Sequence, residues 1–216
     1  MSFLFCTAST LSDAQSADLV NELVRESNRC SYGLWFVLAL DPMKAYDQHQ
    51  DSIKISPACH TSPAICQNFP LSPVDLQNNS FRGYTLEQLK EVCRDLQVKQ
   101  GKRDGPWLPD HFIVLDDRSA RDKSALIVKH SWAPPDEPLE ESFQPWTYTR
   151  TIFRHVGFIA TLYEVAGGSG WDEMEDGRGK YTDEHGIVQI PEWDRDPSTF
   201  PDLPEELWAP WGDERR

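Results

Sequence analysis

Phe3-Leu4-Phe5-Cys6-Thr7, then Ser12-Asp13-Ala14-Gln15, then Leu34-Trp35-Phe36-Val37-Leu38-Ala39-Leu40 are the three stretches that decide the fold. The first is short and apolar and reads as a strand. In the second, the Ser12 hydroxyl can accept from the Gln15 amide while the Gln15 side chain reaches back, a capping box that opens a helix. The spacing predicts that helix over about 13–29, with Leu19, Val20, Leu23 and Val24 on its inner stripe and Asp18, Glu22, Arg25 and Glu26 outside. The third stretch is apolar on both faces, as a central strand covered by helices must be. Strand, helix and buried strand make a β-α-β opening.

Working outward, residues 42–83 are rich in Pro, Ser, Asn and Gln without a sustained period, and read as a long loop or a partly ordered insertion. A second capping box, Thr85-Leu86-Glu87-Gln88, starts a helix to about Gln100, whose inner face is Leu86, Leu89, Val92, Cys93 and Leu96. Apolar runs at 111–116 and 125–130, joined by the charged turn Asp117 to Ser124, predict a hairpin. Residues 146–153 alternate as an edge strand does. Val156, Ile159, Leu162 and Ala166 fit a helical face, while the β-branched content of 156–166 favours extension, so helix and strand both stay open there. The expected fold is a single α/β domain over 1–190, with α+β as its neighbour class. It would hold a mixed sheet of about 4–6 strands, two or three helices, and an acidic Pro/Trp-rich extension over 191–216.

Charge is distributed unevenly. The chain carries −14, and residues 136–216 hold 19 of its 35 acidic and 7 of its 21 basic residues, so that third is at −12. It also contains Trp146, Trp171, Trp193, Trp208 and Trp211, aromatic surface set among prolines and carboxylates. Such a balance speaks against nucleic-acid backbones, which demand a basic face, and against membrane surfaces. The N-terminus lacks a basic segment ahead of its short apolar run, so a secretory signal is not expected. Five cysteines without framework spacing fit reduced thiols. A cytoplasmic protein is the expectation, and Asn78-Asn79-Ser80 is then an idle glycosylation sequon.

The sharpest catalytic candidates are histidines. If residue 117 pairs with 124, His111 stands directly opposite His130, with Cβ atoms about 4.5–5.5 Å apart. The pair would continue the row Ile113/Val128 and Leu115/Leu126 to the rim of the buried face, where burial and mutual repulsion would create a general base. Asp116 and Asp117 lie at the far strand end, roughly 17–20 Å away, so His155 or a tail carboxylate would have to complete the site. A hydrogen-bonded structural pair is the plainer reading of the same residues.

Other motifs carry less. Cys59-His60, Cys66 and His49 contain metal-ligand atoms without the paired arms of a zinc site. Gly167-Gly168-Ser169-Gly170 has Trp171 where a nucleophile elbow needs glycine, and lacks the Lys-Ser/Thr of a phosphate loop. Asp172, Glu173, Glu175, Asp176 and Asp183 lack the rhythm of a calcium loop. No metal or cofactor is expected. In the tail, Leu203, Leu207 and Trp211 recur four apart beside Trp208 and form a row that can dock on a partner's groove or fold back on its own domain.

Three further segments carry a likeness: His111-Phe112-Ile113-Val114-Leu115-Asp116-Asp117, Ala125-Leu126-Ile127-Val128-Lys129 and Asp183-Glu184-His185-Gly186-Ile187-Val188. With the β-α-β opening and Thr85-Leu86-Glu87-Gln88-Leu89, their order resembles a family of small cytosolic proteins of unknown function found in bacteria and fungi. The resemblance spans about residues 3–190 and implies a single α/β domain. It supplies no catalytic residue or substrate, and the 42–83 insertion and the Trp-rich tail depart from the compact bacterial pattern. Two functions follow from the sequence. One is a binding module for a protein partner or a small aromatic or apolar ligand, acting through the acidic aromatic third. The other is a cofactor-independent lyase, isomerase or cyclase of secondary metabolism, with a histidine base in an aromatic-lined pocket. The oligomeric state is not encoded in these patterns.

Overall fold

In a computed structural model, residues 2–27, 36–42, 53–55, 70–100, 111–129, 146–165 and 181–189 are described. They build a six-stranded mixed sheet from β1 (Ser2–Cys6), β2 (Phe36–Ala39), β3 (Ile53–Ile55), β4 (His111–Leu115), β5 (Ser124–Lys129) and β6 (Thr147–Ile152). The strand order is β3-β2-β1-β4-β5-β6, with β1 parallel to both β2 and β4 and all other pairs antiparallel. Four helices accompany it: α1 (Asp13–Ser27), α2 (Leu86–Gln100), the single turn α3 (Ser119–Asp122) and α4 (Phe153–Val165).

The β-α-β opening is present. Its capping box closes as the sequence dictates, with the Gln15 amide donating to Ser12 Oγ at 3.3 Å and the Ser12 amide to Gln15 Oε1 at 2.9 Å. β1 is buried along its whole length because layers cover both faces. Leu4 and Cys6 join Leu19, Val20, Leu23 and Val24 of α1 and Val156, Ile159 and Ala160 of α4 on one side. Phe3 and Phe5 join Phe81, Leu89 and Cys93 on the other, where α2 packs. Phe5 stands edge-on to Phe81 at 4.9 Å and to Phe112 at 5.5 Å, the arrangement that ring quadrupoles favour.

Two open readings resolve and one expectation changes. Over the described 156–165 the ambiguity resolves as helix: α4 follows β6 directly, and Val156, Ile159 and Ala160 pack as a helical face with α1. Of the two readings of 42–83, the partly ordered insertion fits its described residues, which contribute β3 and a 3-10 turn, Pro73–Leu76. Leu71 and Leu76 enter the core, and Asn21 clamps Leu71 through both its amide groups, at 2.9 and 2.8 Å. Among the described residues, the expected two or three helices become four through the short α3.

The hairpin register also differs. β4 and β5 pair antiparallel, but His111 faces Lys129, and Ile113 faces Ile127. The turn is more compact than the expected closure at 117/124. α3 ends on Lys123 in the left-handed region, φ 56°, and β5 therefore begins at Ser124. A one-residue shift sends alternate side chains to opposite faces, so Ala125 and Ile127, not Leu126 and Val128, share the layer of Ile113 and Leu115.

Leu4 fills the centre of this core at 0 % exposure, whereas Val74 stands at 62 %. Leu4→Ala should therefore cost about 2–5 kcal/mol in urea unfolding, and Val74→Ala well under about 1 kcal/mol. Equal losses at the two positions would contradict this layering.

Candidate functional site

An open α/β sheet presents ligands with a crevice where its strand order reverses, outside the carboxyl ends of the strands. Here α1 carries the chain from β1 to β2 on one side, and the chain later returns to β4 on the other. The reversal lies between β1 and β4.

Polar residues converge there. The loop after β1 exposes Ser9 and Thr10, and the residue two beyond β4 is Asp117. Ser9 Oγ donates to Asp117 Oδ2 at 2.9 Å, while Thr10 Oγ1 and the Thr10 amide donate to Oδ1 at 2.6 and 2.9 Å. The Thr10 hydroxyl, joined by the Thr10 amide and Ser9, holds the Asp117 carboxyl below the usual carboxylate range against a small opposing pull from burial. Segment 79–83 closes the neighbouring strand ends. Asn79 Nδ2 donates to Cys6 O at 2.7 Å, the Ser80 amide to Leu40 O at 2.8 Å and the Gly83 amide to Thr7 O at 2.8 Å. Gly83 sits at φ 77°, where a side chain would be strained. Beside it, Arg82 bonds Asp13 in the first turn of α1 at 2.6 Å.

Beneath this rim, burial raises the Cys6 thiol, outweighing smaller downward pulls from the Ala8 backbone, Ser16 and Arg82. A thiol held protonated and fully buried is a core group and not a nucleophile. Burial likewise raises the Cys93 thiol.

A second polar network ties the hairpin to β6. Arg150 binds both oxygens of Asp116 and also donates to Ser124 Oγ at 3.1 Å. Burial raises the Asp116 carboxyl, but Arg150 and Ser119 outweigh it and the net shift is downward. Arg118 bonds Asp122 at 2.7 Å and donates to the His185 carbonyl at 2.7 Å. That second bond ties residue 185 of the acidic third to the segment just after β4. Val188 bridges to Thr151, its amide donates to Arg150 O at 2.8 Å, and Ile187 and Val188 are buried. Asp183 folds this strap by accepting from the Ile187 amide at 2.9 Å, the His185 amide at 2.9 Å and Gln189 at 3.1 Å. Trp146 of the same third packs edge-on to Phe112 at 5.8 Å, and Tyr148 carries Lys90 Nζ 4.9 Å from its ring centroid.

The histidines do not assemble. His111 is 1 % exposed at the amino end of β4, where its Nε2 and Ser2 Oγ share a hydrogen bond of 2.7 Å. Its cross-strand neighbour is Lys129 and not His130, because of the register described above. His155, 1 % exposed, lies in the first turn of α4, just after β6 and therefore at the opposite end of the sheet. The four residue steps of β4 alone amount to roughly 13 Å. His130 lies outside the described residues, as do Leu203, Leu207, Trp208, Trp211, Cys59, His60, Cys66, His49 and the segment 167–170. Among the described residues, no group of three or more His, Cys, Asp or Glu side chains could hold a metal ion, and no helix is long and apolar enough to cross a membrane.

Sequence reasoning set Asp116 and Asp117 aside as too far from the histidines, and passed over Ser9, Thr10 and Arg82. The available signal was the hydroxyl pair directly after the first strand of a β-α unit, with a carboxylate directly after another apolar strand. No protein-family model, curated protein or solved structure matches this chain.

Four carboxyls, Asp116, Asp117, Asp122 and Asp183, are held below the ordinary range. A depressed folded-state value contributes stability that is complete above the unfolded value of about 3.9 and is lost as pH falls through the folded one. The urea midpoint should therefore hardly change from these groups between about pH 7 and 5, and fall below about pH 4. Asp117→Asn should shallow that acid limb, and an unchanged limb would show that the loop staple does not titrate.

Proposed function

We propose that this chain is a binding module whose ligand seat is the crevice between the carboxyl ends of β1 and β4, flanked by the acidic aromatic C-terminal third. The observation that carries this reading is the Asp117 carboxylate, tied to Ser9 and Thr10 at the one place where the strand order reverses. The exposed Ser9 and Thr10 hydroxyls and the Thr10 amide, gathered on Asp117, are the kind of few convergent polar groups by which small-molecule sites fix orientation. Arg118 adjoins Asp117 and grips the His185 carbonyl, which supports a role for the acidic third as one wall. The free thiols of Cys6 and Cys93 fit the cytosolic setting we propose.

The rival reading, a cofactor-independent enzyme with a histidine base, draws on the Ser2–His111 hydrogen bond, a hydroxyl and an imidazole at proton-transfer distance. Two features weigh against it. Ser2 is 0 % and His111 1 % exposed, and the pair lies at the amino end of β1 and β4, away from the crevice.

The test is amide NMR of the full chain against a fragment set of small carboxylates, phosphates, amines, polyols and aromatics. Binders are expected to move Thr10, Gly83 and Asp117, with His111→Gln lowering stability but leaving those shifts intact. Shifts centred on Ser2, His111 and Lys129 would favour the rival, and the absence of any shift near Thr10 would sink the proposed seat.

A further inference from the structure

We infer that the group recognised at this crevice is an oxyanion, a carboxylate or a phosphate, and that Asp117 occupies its place in the resting protein; this rests on the binding reading above. Three donors from two adjacent loop residues converge on a single acceptor: Ser9 Oγ at 2.9 Å, Thr10 Oγ1 at 2.6 Å and the Thr10 amide at 2.9 Å. That acceptor comes from 107 to 108 positions away in sequence, so the loop's geometry is matched to an anionic group it does not itself contain. The donors are not the spare amides of a helix end, since α1 closes its own first turn through Ser12 and Gln15.

Accessibility supports exchange. Ser9 and Thr10 are exposed and Asp117 is half-buried, so the carboxylate can turn to solvent while a dissolved anion takes the same donors. Neutral hydroxyls and amides bind a planar pair of carboxylate oxygens or two phosphate oxygens alike, and charge-assisted bonds of this kind are the stronger ones.

Net charge does not forbid it. The carboxylates nearest the loop are neutralised in pairs: Asp13 with Arg82, and Asp116 with Arg150. Arg118 is similarly paired with Asp122. Arg82 keeps 34 % of its side chain exposed while it holds Asp13.

The experiment titrates sodium phosphate and, separately, sodium acetate into the nitrogen-15-labelled full chain at ionic strength held constant with sodium chloride. Saturable shifts at Ser9 and Thr10 are expected, lost in Ser9→Ala/Thr10→Val. Asp117→Ala removes the internal competitor and should tighten binding about tenfold, the worth of a charge-assisted hydrogen bond. Saturation by acetate alone names a carboxylate ligand, and saturation by phosphate alone a phosphate. Shifts that chloride reproduces, or that survive the double substitution, overturn the inference. Should Asp117→Ala fail to fold, the wild-type titration with the single variant Ser9→Ala decides. If neither anion moves Thr10 but amine or polyol fragments do, the oxyanion class falls while the site stands, and if nothing moves Thr10, both fall.

Discussion

Burial of β1 on both faces is the constraint on which the described structure depends. A strand with parallel neighbours on both sides cannot leave a face in water, because the crossovers that make parallel pairing possible deposit helices on the sheet. Phe3, Leu4, Phe5 and Cys6 satisfy this by being apolar without alternation. The two layers sort by parity: Leu4 and Cys6 meet α1 and α4, and Phe3 and Phe5 meet the aromatic cluster under α2.

The same arrangement places the polar chemistry at one edge. With β1 central, its carboxyl end and that of β4 open side by side, and the chain must satisfy the carbonyls exposed there. Segment 79–83 does this for Cys6, Thr7 and Leu40, passing from the layer of α1 to that of α2. Asp117 instead accepts from the donors of the β1–α1 loop, the Ser9 and Thr10 hydroxyls and the Thr10 amide. It thus staples the loop after β1 to the end of β4 at the strand-order reversal. The far edge of the sheet is secured differently, by Arg150 on Asp116 and by the strap through Val188 onto Thr151, which covers part of the outer strand β6.

The sequence by itself determined the β-α-β opening, both capping boxes, the inner face of α1, the α2 face through Cys93, and the existence of the β4–β5 hairpin. Those features are local: hydrophobic period and cap chemistry act within one turn or one strand. It did not determine the hairpin register, because one left-handed residue, Lys123, shortens the turn and no composition rule announces it. Nor did it settle 156–165, where β-branched residues favoured a strand and packing against α1 made a helix.

The candidate site was the least legible part, for a physical reason. His111, His130 and His155 attracted attention as titratable residues, yet where they stand is fixed by strand direction and by the end of the sheet at which α4 begins. Ser9, Thr10 and Asp117 look ordinary in sequence, separated by 107 to 108 positions, and only the parallel pairing of β1 with β4 brings them within hydrogen-bonding distance. Local patterns specified which segments became strands and helices, and tertiary structure alone decided which strand ends share an edge, since that depends on how long-range pairing buries both faces of β1.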